Sequence, residues 1–148
     1  MQIDDLNILF GHHPQMGSLR RLLTVRAKGD QHLLLTGLHA SARALVLSHL
    51  SRPLFIINDN AEVAQYMYSD LKTLGANVFY FPSSKRRRTI DDAALIQRTE
   101  CLSALNQRLM VNEDLDGVII VTYPEAVAEA VPAKEELTER SMTIKVGQ

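Results

Sequence analysis

One cysteine, Cys101, is the whole thiol complement of these 148 residues, so no intramolecular disulfide can form. That scarcity fits a reducing compartment. Cys101 sits in a helical run beside Leu102 and Leu105, where a buried thiol is expected rather than a nucleophile. No hydrophobic run reaches membrane-spanning length, and the first residues lack the basic-then-apolar order of a secretory signal. A cytoplasmic location with no membrane partner is therefore expected. The net charge of -1 gives no global pull toward nucleic acid, so any such contact needs a local patch. Internal repeats and low-complexity segments are absent as well. The histidines do not gather: His12 and His13 are adjacent, while His32, His39 and His49 are scattered without metal-ligand spacing. No metal site is expected. Ser41 lacks the G-x-S-x-G context of a hydrolase nucleophile.

What remains is ordinary for a folded domain. An apolar fraction of 46% against a charged fraction of 22% places the chain among soluble globular proteins, with enough length for one real core. Short apolar or β-branched runs at Leu33–Leu35, Leu54–Asn58, Val78–Phe81 and Val118–Thr122 lack polar alternation, as strands covered on both faces do. Helical segments lie between them. Ser41–Leu50 carries Leu45, Val46 and His49 at helical spacing. Asn60 caps a helix through Leu74, with Val63, Met67 and Leu71 in one stripe and Gly75 ending it. Asp91 or Asp92 opens a long helix to about Leu109, with Leu95, Leu102, Leu105 and Leu109 inward. The order predicts an α/β fold, a doubly wound and mostly parallel sheet with right-handed crossovers.

Two ends lie outside that sheet. Residues Ile3 to Ala27 read as two helices separated at Pro14. Glu125–Val131 reads as a short helix closed by Pro132, followed by a charged stretch from Ala133 to Arg140. Ser141–Val146 then alternates like a new strand. The α/β domain is expected over residues 1–139, and 140–148 reads as the truncated start of a following domain.

The stretch from Thr36 to Leu45 holds the outline of a phosphate loop. Laid on G-x-x-x-x-G-K-[ST], Gly37 falls on the first glycine, Ala42 on the second, Arg43 on the lysine and Ala44 on the hydroxyl residue. Ala42 adds a methyl where backbone must approach phosphate. Arg43 replaces a compact ammonium, and Ala44 has no oxygen for Mg²⁺. An ordinary strand-to-helix turn accounts for the same residues. A nucleoside triphosphatase also needs a carboxylate at a second strand tip. Here Val121-Thr122-Tyr123-Pro124 ends the candidate strand, Asp114 and Asp116 precede it, and Glu125 lies beyond the proline. No catalytic residue and no bound cofactor are expected. The densest charge is Lys85, Arg86, Arg87 and Arg88, after the third strand. It reads either as a phosphate-backbone contact or as a solvated loop partly neutralised by Asp91 and Asp92.

The order of blocks resembles a known family. It runs through Leu33–Ala44, Pro53–Leu71 (P-L-F-I-I-N-D-N-A-E-V-A-Q-Y-M-Y-S-D-L), Asn77–Pro82, Asp116–Val127 and Met142–Gln148. This order is similar to the N-terminal region of the bacterial transcription-repair coupling factor, itself similar to the first helicase-like domain of excinuclease B, the helicase-like component of the ABC excinuclease. The resemblance implies a helicase-like, P-loop-type α/β fold whose phosphate loop is degenerate, with residues 140–148 beginning an adaptor domain. It implies a non-catalytic scaffold segment. The full-length family protein is an ATP- and Mg-dependent DNA translocase that displaces stalled RNA polymerase and recruits excinuclease A in nucleotide excision repair. Partners within this segment would be other domains of its own chain, with RNA polymerase, excinuclease A and DNA reached through the full-length protein. Excinuclease B carries an aromatic-rich DNA-gripping hairpin after its third strand, whereas Ser83–Ile90 here has no aromatic residue. Two alternatives stay open. One is a stand-alone α/β anion- or nucleotide-binding domain using Gly37, His39 and Arg43. The other is a DNA-binding module using Lys85–Arg88.

Overall fold

The computed structural model describes residues 3–24, 32–86 and 89–133. In chain order the elements are α1 (Ile3–Gly11), α2 (Pro14–Thr24), α3 (Ala42–Ser48), β1 (Leu54–Ile57), α4 (Ala61–Thr73) and β2 (Asn77–Tyr80). Then come β3 (Lys85–Arg86), β4 (Thr89–Ile90), α5 (Asp92–Met110), β5 (Val118–Thr122) and α6 (Pro124–Ala128). Ser141–Val146, expected to be a strand, lies outside the described residues, as do Ala27 and the stretch 134–140.

The run V-I-I-V-T of β5 is β-branched throughout, which suits a strand with both faces covered. It takes the centre of a three-stranded parallel sheet of order β1-β5-β2. Register pairs Leu54 and Val78 with Ile119, and Ile56 and Tyr80 with Val121. These side chains therefore share one face. Against it pack Ala64, Met67 and Leu71 of α4, together with Ala44 and Ala126, as the main core. Burying one such leucine contributes about 1.5–3 kcal/mol. α5 reaches the opposite face, where the Arg98 guanidinium lies over the Phe81 ring at 4.0 Å. The protein is thus a mixed α/β domain with a small parallel sheet between helices.

Local signals set the helix ends. Asn60 accepts a 3.0 Å bond from Val63 N, as an N-cap should. At the other end of α4, Gly75 takes φ +73°, Ala76 N bonds Leu71 O, and Gly75 N bonds Lys72 O. That pair of bonds is a Schellman cap, and it needs a residue at ease with positive φ. Asp91 caps α5 by accepting from Ala94 N. Pro14 opens α2, whose Met16 and Leu19 form a second cluster with Val46 and Leu50. α1 ends against α3 so closely that a Cβ on Gly11 would lie 2.6 Å from His49 Nε2.

Three expectations are corrected. Leu33–Leu35 is not a strand: residues 32–36 are unpaired coil, and Leu34 is 85% exposed. A strand needs a ladder partner, and β1 pairs with β5 alone, leaving no described strand beside these leucines. Half of the leucine stripe expected on α5 is out of place: Leu102 and Leu105 are half-buried, but Leu95 and Leu109 are exposed while Arg98 and Cys101 take the buried positions. The polar bonds of Arg98, below, hold it in that place. The last helix stops at Ala128 rather than Val131, because Glu129 turns extended (φ -79°, ψ 132°).

Candidate functional site

The eroded loop is a turn without a strand before it. Gly37 (φ 78°) and Ala40 (φ 47°) reverse the chain, Ala42 N bonds His39 O at 3.0 Å, and α3 begins at Ala42. Ser41 precedes the helix without a side-chain cap bond. Arg43 and His39 are both exposed at the turn, while Ala44 is fully buried in the main core. The position that would offer a hydroxyl to Mg²⁺ is therefore committed to packing against α4 and β5. α3 spans only seven residues, less than two full turns, so its dipole and free N–H groups make a poor anion cradle.

Lys85 and Arg86 of the basic cluster form one strand of a small hairpin. Lys85 pairs with Ile90 and Arg86 with Thr89, and Asp91 N bonds Ser84 O at its base. Lys85 is exposed. Arg87 and Arg88 lie outside the described residues. Asp91, expected to neutralise the cluster, commits one oxygen to capping α5.

The densest chemistry is a clasp that sequence reasoning missed. Arg98, 4% exposed, donates Nη1 to Pro82 O and Ala126 O, both at 3.0 Å. Its Nη2 donates to Glu129 O at 2.9 Å and Ala130 O at 3.5 Å. The Glu129 carboxylate lies 3.8 Å from Arg98 Nε and accepts from Ser83 Oγ (2.8 Å), Ser84 N (2.9 Å) and Ser84 Oγ. Ser83 N donates to the Tyr123 hydroxyl at 2.9 Å. One guanidinium thus ties the loop after β2 to the end of α6. Burial pulls Arg98 below its ordinary value, though an arginine there stays charged. Burial opposes ionisation of Glu129, yet hydrogen bonds from Ser84 and Ser83 and the charge of Arg98 hold its carboxyl below the ordinary carboxylate value. No sequence signal marks this clasp, because its partners lie 31 residues apart and each has an unremarkable local context.

The tip of the central strand is closed in the same way. Thr122 Oγ1 donates to Phe81 O at 2.7 Å, and Asn58 N bonds Thr122 O at 2.9 Å. Beyond it, between the first turns of α4 and α5, a hollow of about 480 Å³ is lined by Tyr68, Tyr80, Tyr123, Glu62, Gln97 and Lys85 among others. Open α/β sheets usually bind ligands at this edge. Burial, then Tyr123, pushes the Tyr80 hydroxyl up to about 12. None of Gly37, Ala42, Arg43 and Ala44 lines this hollow. Ser41 borders a separate one of about 100 Å³ with Ile3, Leu6 and Asp70. The structure therefore keeps the eroded loop and the basic hairpin at different places.

Fold and geometry define the class: a mixed α/β domain whose carboxyl edge is locked by an arginine–glutamate clasp. No protein-family model, curated protein or solved structure matches the chain. Among the described residues no group of three His, Cys, Asp or Glu could hold a metal, and no helix is long and apolar enough to cross a membrane.

Proposed function

We propose that this chain is a non-catalytic scaffold segment of a transcription-repair coupling factor, built on a doubly wound, helicase-like α/β domain with a degenerate phosphate loop. The observation that carries the reading is Ala44. Its methyl is sealed in the core at the position where a working loop presents a hydroxyl to Mg²⁺. Arg43 in place of the lysine and the missing carboxylate after Thr122 support the same reading. In that role ATP and Mg act elsewhere in the full-length protein, which also engages RNA polymerase, excinuclease A and DNA. The segment's own partners are neighbouring domains of the same chain.

Calorimetric titration of the 148-residue chain with Mg-ATP tests the loop. No binding heat is expected with or without DNA, and stoichiometric Mg²⁺-dependent binding would overturn the reading. Chain context tests the family: a reading frame continuing past Gln148 into intact helicase motifs is expected. A stop there favours the stand-alone anion- or nucleotide-binding alternative.

A further inference from the structure

The Glu129 carboxylate is held as a bound ligand would be. Its Oε2 accepts from Ser83 Oγ at 2.8 Å and from Ser84 N at 2.9 Å. Its Oε1 accepts from Ser84 Oγ and lies 3.8 Å from Arg98 Nε. Each oxygen has donors of its own, an arrangement that matches a flat, ionised carboxylate. Arg98 and Ser84 are 4% and 8% exposed, so water competes little for these donors.

The donors are placed by groups other than Glu129. Arg98 is held through Nη1 by Pro82 O and Ala126 O and lies over the Phe81 ring. The Tyr123 hydroxyl fixes Ser83 N, and Asp91 N fixes Ser84 O. The seat is therefore built by the sheet end and α5, and Glu129 only fills it.

The segment that carries Glu129 is tied down nowhere else. α6 ends at Ala128, and residues 129–133 run on without helix or strand. Every hydrogen bond they make among the described residues goes to this seat. The carboxylate bonds are one set, and Glu129 O and Ala130 O on Arg98 Nη2, at 2.9 and 3.5 Å, are the other. One cluster thus reads three features of an extended peptide: an acidic side chain, its own carbonyl and the next carbonyl. Arginine-centred recognition of acidic peptides uses the same chemistry.

We propose that the Arg98–Ser83–Ser84 seat is a binding site for an acidic residue in an extended segment of another polypeptide, filled in this state by the chain's own Glu129. The strap of residues 129–133 and the incoming segment exclude each other. A tethered carboxylate stands at an effective concentration of about millimolar or above, so the parent chain resists a free competitor. Glu129→Ala in the full 148-residue chain vacates the seat. The probes are sodium formate and the peptide acetyl-Ala-Glu-Ala-Val-amide, which copies residues 128–131, with sodium chloride matching ionic strength. The readouts are the ¹⁵N shifts of the Ser84 amide and Arg98 Nε. Both probes should move these signals saturably in Glu129→Ala, the peptide at about tenfold lower concentration. The parent should stay unmoved up to about 1 mM of either. Replacing the peptide glutamate by glutamine should weaken binding about tenfold or more. Glu129→Gln keeps the shape of the side chain and covers the case in which the alanine variant does not fold. It should answer the acidic peptide in the same way at higher concentration, because a carboxylate accepts more strongly than an amide. Equal binding of the glutamine peptide would overturn the proposal, as would equal response of the parent or silence of both variants. Formate binding without peptide binding would assign the seat to small anions under a docked strap, and would also overturn it.

Discussion

Replacing Arg98 by alanine removes the clasp at its centre. The guanidinium satisfies the carbonyls of Pro82, Ala126 and Glu129 at 2.9–3.0 Å, covers Phe81, and balances Glu129. Water cannot replace it freely, because the side chain is 4% exposed. Breaking a buried pair by removing one partner costs about 3–5 kcal/mol. A domain of this size holds roughly 5–15 kcal/mol in total, so the loss is a large share. About 3 kcal/mol corresponds to a fall in Tm of roughly 6–12 °C at this chain length. Urea denaturation followed by circular dichroism at neutral pH measures it. Arg98→Lys keeps the charge but not the planar fork, and should recover only part of the loss. Glu62→Ala, on an exposed side chain, serves as control and should change stability by less than about 0.5 kcal/mol. An Arg98→Ala variant within about 1 kcal/mol of the parent would refute the clasp as a structural element.

Glu129 gives the clasp a pH dependence. Its folded carboxyl titrates below the ordinary 4.5, so its contribution is present above that value and is lost as pH falls through the folded value. Melting curves in acid should fall steeply for the parent and more gently for Glu129→Gln, and parallel curves would refute the assignment. Burial pushes the Cys101 thiol up to about 11, so it stays protonated and shielded in the native state. Labelling by a disulfide reagent at about pH 8 should therefore track unfolding in urea, and rapid stoichiometric reaction of the folded chain would contradict that burial.

The fold was legible where one local signal sufficed. The β-branched run of β5, the Asn60 cap, Gly75 at the end of α4 and the Pro14 break all sit where their residue types place them. Legibility ended where a distant partner decided. Leu33–Leu35 has strand composition, yet composition cannot supply a ladder, and the segment stays unpaired. On α5, Leu102 and Leu105 turn half inward as their spacing promised, while Arg98 with its carbonyl partners takes the buried place and Leu95 and Leu109 are left exposed. A charged residue reads as solvent-facing in a sequence, because its desolvation is offset only by groups that folding brings from elsewhere. The clasp was invisible for the same reason. Nothing near Arg98, Ser83 or Glu129 announces the other two.

The two open sides of the sheet are treated differently, and that contrast bears on function. Past the carboxyl ends of the strands, where α/β domains usually place their chemistry, this chain turns its polar groups on itself. Thr122 bonds Phe81 O, the Tyr123 hydroxyl takes Ser83 N, and Glu129 takes both serines. Each such group is already satisfied, so a ligand there must displace an internal bond before gaining one. Along the lateral edge of β2 the balance reverses. Phe81 N bonds Val121 O, so by alternation Val78 and Tyr80 hold outward backbone groups that no described strand pairs. An incoming strand exchanges bonds with water and breaks no sheet bond. The easier exchange is at the side of the sheet, so recognition of polypeptide costs this domain less than chemistry on a small ligand. That edge takes up a backbone partner without displacing an internal sheet bond.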